Sequence, residues 1–145
     1  MHISVKKVES DHELNQAFAI RQKVFVHEQG VPEDQEIDEK ESCSVHFLAT
    51  LDKKAIGTCR MRWYEPHVAK AERVAVIPEG RGTGAGRELM LALEEHARQE
   101  GAKKIVLSAQ TQALPFYEKL GYIAEGDVYL DAGIDHKDMK KKLSL

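Results

Sequence analysis

Apolar residues along this chain change their spacing in a definite order. Residues 2–8 alternate, Ile3, Val5 and Lys7 against Ser4, Lys6 and Val8, which predicts a short strand with one half-buried face. The spacing then turns helical: Ser10 followed by Glu13 forms a capping box, and Leu14, Ala17, Phe18, Arg21, Val24 and Phe25 fall on one stripe. From Gly30 to Ser44 there is no period and a dense run of acids, which predicts a long loop. Two readings of that run stay open: a solvated acidic loop, the usual fate of charge runs, or an acidic wall for a cationic substrate. Val45 to Leu51, Ala55 to Tyr64 and Val68 to Val76 read as consecutive strands of an antiparallel meander, the first two joined by Asp52-Lys53-Lys54.

Beyond Pro78 a glycine-rich stretch leads into Leu89, Met90, Leu93 and Ala97 at helical spacing, with Gly101 as the stop. Lys104 to Leu107 reads as a buried strand, and Ala109 to Leu120 as a helix ended by Gly121. Strand signals then run from Tyr122 to Lys140-Lys141-Lys142. Those lysines are expected on a solvated sheet edge, where they oppose edge-to-edge pairing. The order β, α, loop, βββ, α, β, α, ββ predicts one mixed α/β sheet in a single domain spanning residues 1–145.

Composition narrows the function. A chain of 145 residues, 42% hydrophobic, can bury its own core without disulfide or metal. Its formal net charge of -3 argues against a nucleic acid partner. No apolar run approaches the ~20 residues of a membrane-spanning helix, and the first residues lack a secretory signal pattern, so a cytoplasmic protein without a membrane partner is expected. Cys43 and Cys59 form no Cys-x-x-Cys pair and are expected to be reduced, buried side chains. The scattered histidines have no ligand spacing, so no metal is expected.

The chemistry concentrates in Arg81-Gly82-Thr83-Gly84-Ala85-Gly86-Arg87, where glycines alternate as a strand gives way to a helix. Unobstructed backbone N–H groups and the positive end of a helix dipole make an anion site suited to a pyrophosphate. A tight turn without a ligand is the plainer alternative. A P-loop would need Gly-Lys-Ser/Thr, and here Gly86 is followed by Arg87-Glu88. Gly80-x-Gly82-x-x-Ala85 matches the dinucleotide fingerprint literally, but the ribose-binding acid expected about 20 residues on is missing.

With its preceding strand, Arg73 to Gly86 resembles the acetyl-CoA signature of the GNAT N-acetyltransferases, Arg/Gln-x-x-Gly-x-Gly/Ala. The stretch Ala109 to Tyr122 is similar to that family's later motif A-x-x-F-Y-x-x-x-G-F/Y. Val24 to Gln29 and Asp131 to His136 further resemble the ElaA/YjcF-like branch. The resemblance implies a GNAT-like acyl-CoA N-acyltransferase fold: a central, mostly antiparallel sheet splayed at the cofactor strand, with flanking helices. It implies acetyl-CoA as co-substrate, held by the backbone of Val74, Ala75 and Val76 and by the amides of Arg81, Gly82, Thr83, Gly84, Ala85, Gly86 and Arg87. The side chains of Arg81 and Arg87 are either phosphate contacts or solvated arginines.

Transfer of an acetyl group to an amine needs a neutral amine, a stabilised oxyanion and a proton for the departing thiolate. Tyr117 matches the family's general acid, with a Phe116/Tyr117 packing pair as the structural alternative. Glu28, His136 and, behind them, Glu72 are candidate bases, each with an ordinary surface or ion-pair role as the alternative; an ordered water is a further possibility. A covalent cysteine relay lacks a histidine partner. The expected reaction is acetyl transfer from acetyl-CoA to a primary amine of a small molecule or peptide, cationic if the acidic segment recognises it. The alternative is a non-catalytic acyl-CoA-binding module. The family resemblance also raises a homodimer.

Overall fold

The computed structural model describes residues 2–143. Strand β1 (Ile3–Lys7) leads into helix α1 (Asp11–Arg21), a π-helical segment (Gln22–Glu28) and a short helix α2 (Glu33–Glu36). Strands β2 (Val45–Leu51), β3 (Lys54–Glu65) and β4 (Val68–Val76) follow, then α3 (Ala85–Gln99), β5 (Lys104–Gln110), α4 (Leu114–Lys119), β6 (Ile123–Asp131) and β7 (Ile134–Lys142). The strands form one sheet in the order β1-β2-β3-β4-β5-β7-β6, antiparallel except for β4 against β5. The mixed α/β fold and the meander expected from the sequence are both present. Among the described residues no helix is long and apolar enough to cross a membrane.

The capping box forms at the start of α1: Ser10 accepts from the Glu13 N–H at 3.2 Å, while the Glu13 carboxylate reaches back to the Glu9 N–H at 2.8 Å. On one face of the sheet α3 buries Ala85, Leu89, Met90, Leu93 and Ala97, and Cys59 of β3 points at it, its thiol 3.8 Å from the Leu89 carbonyl. Neighbouring Arg60 faces the opposite side, where α1 lies, as strand alternation requires. Tyr122 closes the α3 side by donating to Glu94 at 2.8 Å, a carboxylate that also pairs with Lys141 at 2.9 Å.

Four expectations are corrected. The acidic run is only partly a solvated loop: Glu33, Asp34 and Glu39 are exposed, but the other three acids are taken up by arginines and form no free wall. Glu36 and Glu41 turn inward onto Arg21, at 3.0 and 2.5 Å, and Asp38 and Glu41 both bind Arg60 at 2.9 Å. Periodicity could not show this because the arginines come from α1 and β3. The helix expected over 109–120 is shorter: Ala109 and Gln110 pair with Lys137 and His136 in the sheet, and the helix starts at Leu114. Lys140, Lys141 and Lys142 are not on an edge, because β7 lies between β5 and β6; the edge strand at that end of the sheet is β6. Cys59 is buried as expected, whereas Cys43 is exposed.

Candidate active site

Strands β4 and β5 pair only from Val68 with Lys104 to Ala71 with Leu107. Beyond that point they part. β5 continues to Gln110 against β7, and β4 continues to Val76 with β3 on one side and no strand on the other. A bulge marks the parting: Glu72 faces Arg60 and Ala75 faces Thr58, so Arg73 and Val74 together stand opposite Cys59. Arg73 takes a left-handed φ of 55° there, which costs a non-glycine residue energy. Its guanidinium is fixed by the Glu36 carbonyl at 3.1 Å, the Glu36 carboxylate at 2.9 Å and Asp38 at 3.2 Å. The acidic run therefore holds the bent strand in place.

The opening leads into a cavity of about 900 Å³. Of the site residues expected from the sequence, Glu28, Val74, Ala75, Val76, Arg81, Gly82, Gly84, Ala85, Gly86, Arg87, Tyr117 and His136 line it; Thr83 does not. Thr83 instead ties the loop together, its hydroxyl donating to the Gly80 carbonyl at 2.5 Å. At the mouth of α3, Gly84 is the N-cap with φ 90° and no side chain caps the first turn, so that turn's N–H groups keep their hydrogen-bonding capacity for an incoming anion. A Cβ on Gly82 or Gly84 would meet nothing within 4 Å, so the space in front of the loop is open.

Arg81 and Glu28 are partners. The guanidinium contacts the carboxylate at 2.6 and 3.1 Å and also donates from Nε to the Val76 carbonyl at 3.0 Å. The Arg81 hydrogen bonds hold the Glu28 carboxyl below the usual carboxylate range. Beside this pair, Gln110 donates to the Gln29 side chain at 2.7 Å, so the end of the π-helical segment touches both the glycine loop and β5. Glu72 is likewise committed: burial would raise its pKa, but Arg62, Arg60 and Lys70 outweigh that and hold it low.

Tyr117 comes from α4 on the α3 side, packed edge-on against Phe116 and Tyr122. It is 7% exposed, and burial, with a smaller contribution from Cys59, pushes the phenol up, which keeps it protonated at neutral pH. Cys59 is fully buried, absent from the cavity wall, and its thiol is pushed up by burial, so a cysteine relay has no support. His136 lies on the opposite face, on β7 across from Gln110. Its Nδ1 is 2.7 Å from the Ile134 carbonyl. A carbonyl only accepts, so Nδ1 carries the hydrogen and, in the neutral ring, Nε2 holds the lone pair.

Ser108, Gln110 and Arg73 also line the cavity, although nothing in the sequence marks them as site residues. The recognisable motifs are the glycine loop and the Phe-Tyr pair, and Ser108 and Gln110 lie around the start of a stretch whose spacing predicts a helix rather than a strand. Among the described residues no group of three or more His, Cys, Asp or Glu side chains converges as a metal site would require.

Comparisons with known proteins agree with this geometry. The family model described as an acetyltransferase (GNAT) domain matches residues 6–143. The uncharacterized N-acetyltransferase YjcF of Bacillus subtilis (strain 168) is 42% identical over 133 residues, covering 91% of this chain and 94% of that protein. The crystal structure of Escherichia coli ElaA superposes with a TM-score of 0.85 at 25% identity, covering 97% of this chain and 99% of that one. An acyl-CoA N-acyltransferase from Pseudomonas aeruginosa superposes with a TM-score of 0.81 at 27% identity, with coverage of 97% and 99%. The split sheet, the glycine loop at the start of α3 and these matches together place the chain in the GNAT acetyltransferase family.

Proposed function

We propose that this acetyltransferase moves the acetyl group of acetyl-CoA directly to a primary amine, with Tyr117 as general acid and His136 as general base. The observation that carries the reading is the unpaired length of β4 facing β5, which opens at one end onto the glycine loop and at the other onto His136 and Ser108. An extended pantetheine arm fits such a gap as an added strand along Val74, Ala75 and Val76. Its pyrophosphate would meet the N–H groups from Arg81 to Arg87. For the arm to use the Val76 carbonyl, Arg81 must turn away from it, and a phosphate is a fitting new partner for the guanidinium.

In the reaction the amine nitrogen attacks the thioester carbon and His136 Nε2 takes the proton the nitrogen sheds. The C–S bond then breaks and Tyr117 protonates the departing sulfur. Unpaired backbone N–H donors of β4 serve the oxyanion. His136 is preferred to Glu28 as base because Glu28 is bound to Arg81, whereas Nε2 has no hydrogen-bond partner among the described residues.

The preference for a cationic acceptor rests on a narrower basis than the acidic run suggested, since Glu36, Asp38 and Glu41 are neutralised by arginines. What supports it is Asp131, which lines the cavity at the β6–β7 turn and forms no ion pair among the described residues. The test is thiol release from acetyl-CoA with a panel of cationic, neutral and carboxylate-bearing primary amines. Turnover that is highest for cations and falls in Tyr117→Phe supports the proposal. Tight CoA binding with no turnover on any amine replaces it with a non-catalytic acyl-CoA module.

A further inference from the structure

On the α1-side face of the sheet a polar chain runs from the cavity wall out to the edge strand β6. Ser108 is the first residue of β5 past the last β4–β5 pair, and it lines the cavity. Its hydroxyl is hydrogen-bonded to the hydroxyl of Tyr129 on edge strand β6, and that phenol donates to Asp138 Oδ1 at 2.6 Å. A bulge delivers Tyr129 to this place. Glu125 faces Asp138 and Tyr129 faces His136, so residues 126–128 of β6 stand opposite Lys137 alone, with Gly126 at φ 79°. The Tyr129 ring also lies nearly parallel to the His136 imidazole, 25° between planes and 6.2 Å between centroids.

Counting hydrogens fixes the direction of this chain. A phenol has one hydrogen and a carboxylate can only accept, so the Tyr129 hydrogen lies toward Asp138. Ser108 must then donate its own hydrogen to the Tyr129 oxygen. Toward the cavity the serine presents lone pairs only. Two residues along, on the same face, His136 presents Nε2, which is also a lone pair in the neutral ring.

We propose that Ser108 is a contact for the acceptor nitrogen, accepting one of its N–H hydrogens, and that Tyr129 and Asp138 are positioning residues that hold Ser108 in this accepting state. The proposal rests on the acetyl-transfer reading above and adds a selectivity to it. A neutral primary amine has two N–H hydrogens and one lone pair: one hydrogen goes to Ser108, the other to His136, and the lone pair is left for the thioester carbon. A secondary amine or an alcohol has a single hydrogen and leaves one of the two acceptors unmatched.

The experiment compares kcat/KM for butylamine, and for the best primary amine of the panel, with the N-methyl derivative of each. In the wild-type protein the primary amine is expected to be favoured by about tenfold or more. Ser108→Ala and Tyr129→Phe should lower kcat/KM for the primary amine by a similar factor and leave the N-methyl derivative nearly unchanged, so that the preference collapses. KM for acetyl-CoA should stay constant, and Ser108→Thr should retain the preference. Asp138→Asn, which frees the polarity of the chain, should weaken it mainly through the amine KM. If Ser108→Ala keeps the wild-type ratio, or lowers both amines equally, the assignment is wrong while acetyl transfer stands. If no amine of the panel turns over, the acetyl-transfer reading has failed and the Ser108 role falls with it.

Discussion

Tyr117 and His136 approach the opening between β4 and β5 from opposite faces of the sheet, one from the buried α4 side and the other from β7. Such an arrangement suits a reaction in which a proton arrives at sulfur on one side and leaves nitrogen on the other. Tyr117→Phe removes only the hydroxyl, so CoA affinity should be kept while kcat drops by roughly a hundredfold, the lower range for loss of a general acid. The two base candidates separate in the same assay. His136→Gln should lower kcat by a similar factor, whereas Glu28→Gln should change it only a few-fold, because that carboxylate is bound to Arg81. A large loss in Glu28→Gln with little in His136→Gln would reverse the assignment. The place of Tyr117 on the cavity wall was legible from its Phe-Tyr motif, and that of Glu28 and His136 from the stretches around them. Their opposite fates were not, since the arginine that occupies Glu28 lies 53 residues away.

At the scale of elements, the glycine loop and the β4 bulge do different work. Gly84 already has the left-handed backbone that an alanine tolerates poorly, and its Cβ would enter the open space before the loop. Gly84→Ala should therefore cost about 1–2 kcal/mol in stability and weaken CoA binding, read by thermal melting and by titration. The bulge depends on a buried ion cluster instead. Arg60, 1% exposed, binds Asp38, Glu41 and Glu72. Replacing it by Met leaves those acids short of a partner and should cost about 3–5 kcal/mol, measured by denaturant unfolding. The strand order along the chain and the glycine loop were legible because each rests on local signals: alternation, caps and turn residues. The acid cluster was not, because a run of carboxylates reads the same whether it meets water or arginines brought by other elements.

For the whole molecule, that cluster couples stability to pH. Burial pushes the Asp38 carboxyl up, but Arg60, the Lys40 N–H and Arg73 outweigh it and hold the group at about 2. Glu41 is likewise held at about 2, burial being outweighed by Arg21 and Arg60. Both folded values lie below the ordinary range of about 4 for an unfolded carboxylate. Their contribution is thus complete above about pH 5 and is lost as pH falls toward 2. The melting temperature should decline over that window, and less steeply in Asp38→Asn. The placement of β7 inside the sheet also belongs to this scale: three consecutive lysines suggest an edge, and only the return of β6 to the outside of β7 shows otherwise. The gap between β4 and β5, with its glycine loop, is the proposed cradle for acetyl-CoA. Calorimetric titration of the protein with acetyl-CoA, CoA and NADH puts this cradle to the test. Acetyl-CoA and CoA should bind saturably, and more weakly in Gly84→Ala, with no comparable binding of NADH; binding of NADH alone would mean that the glycine loop holds a different ligand.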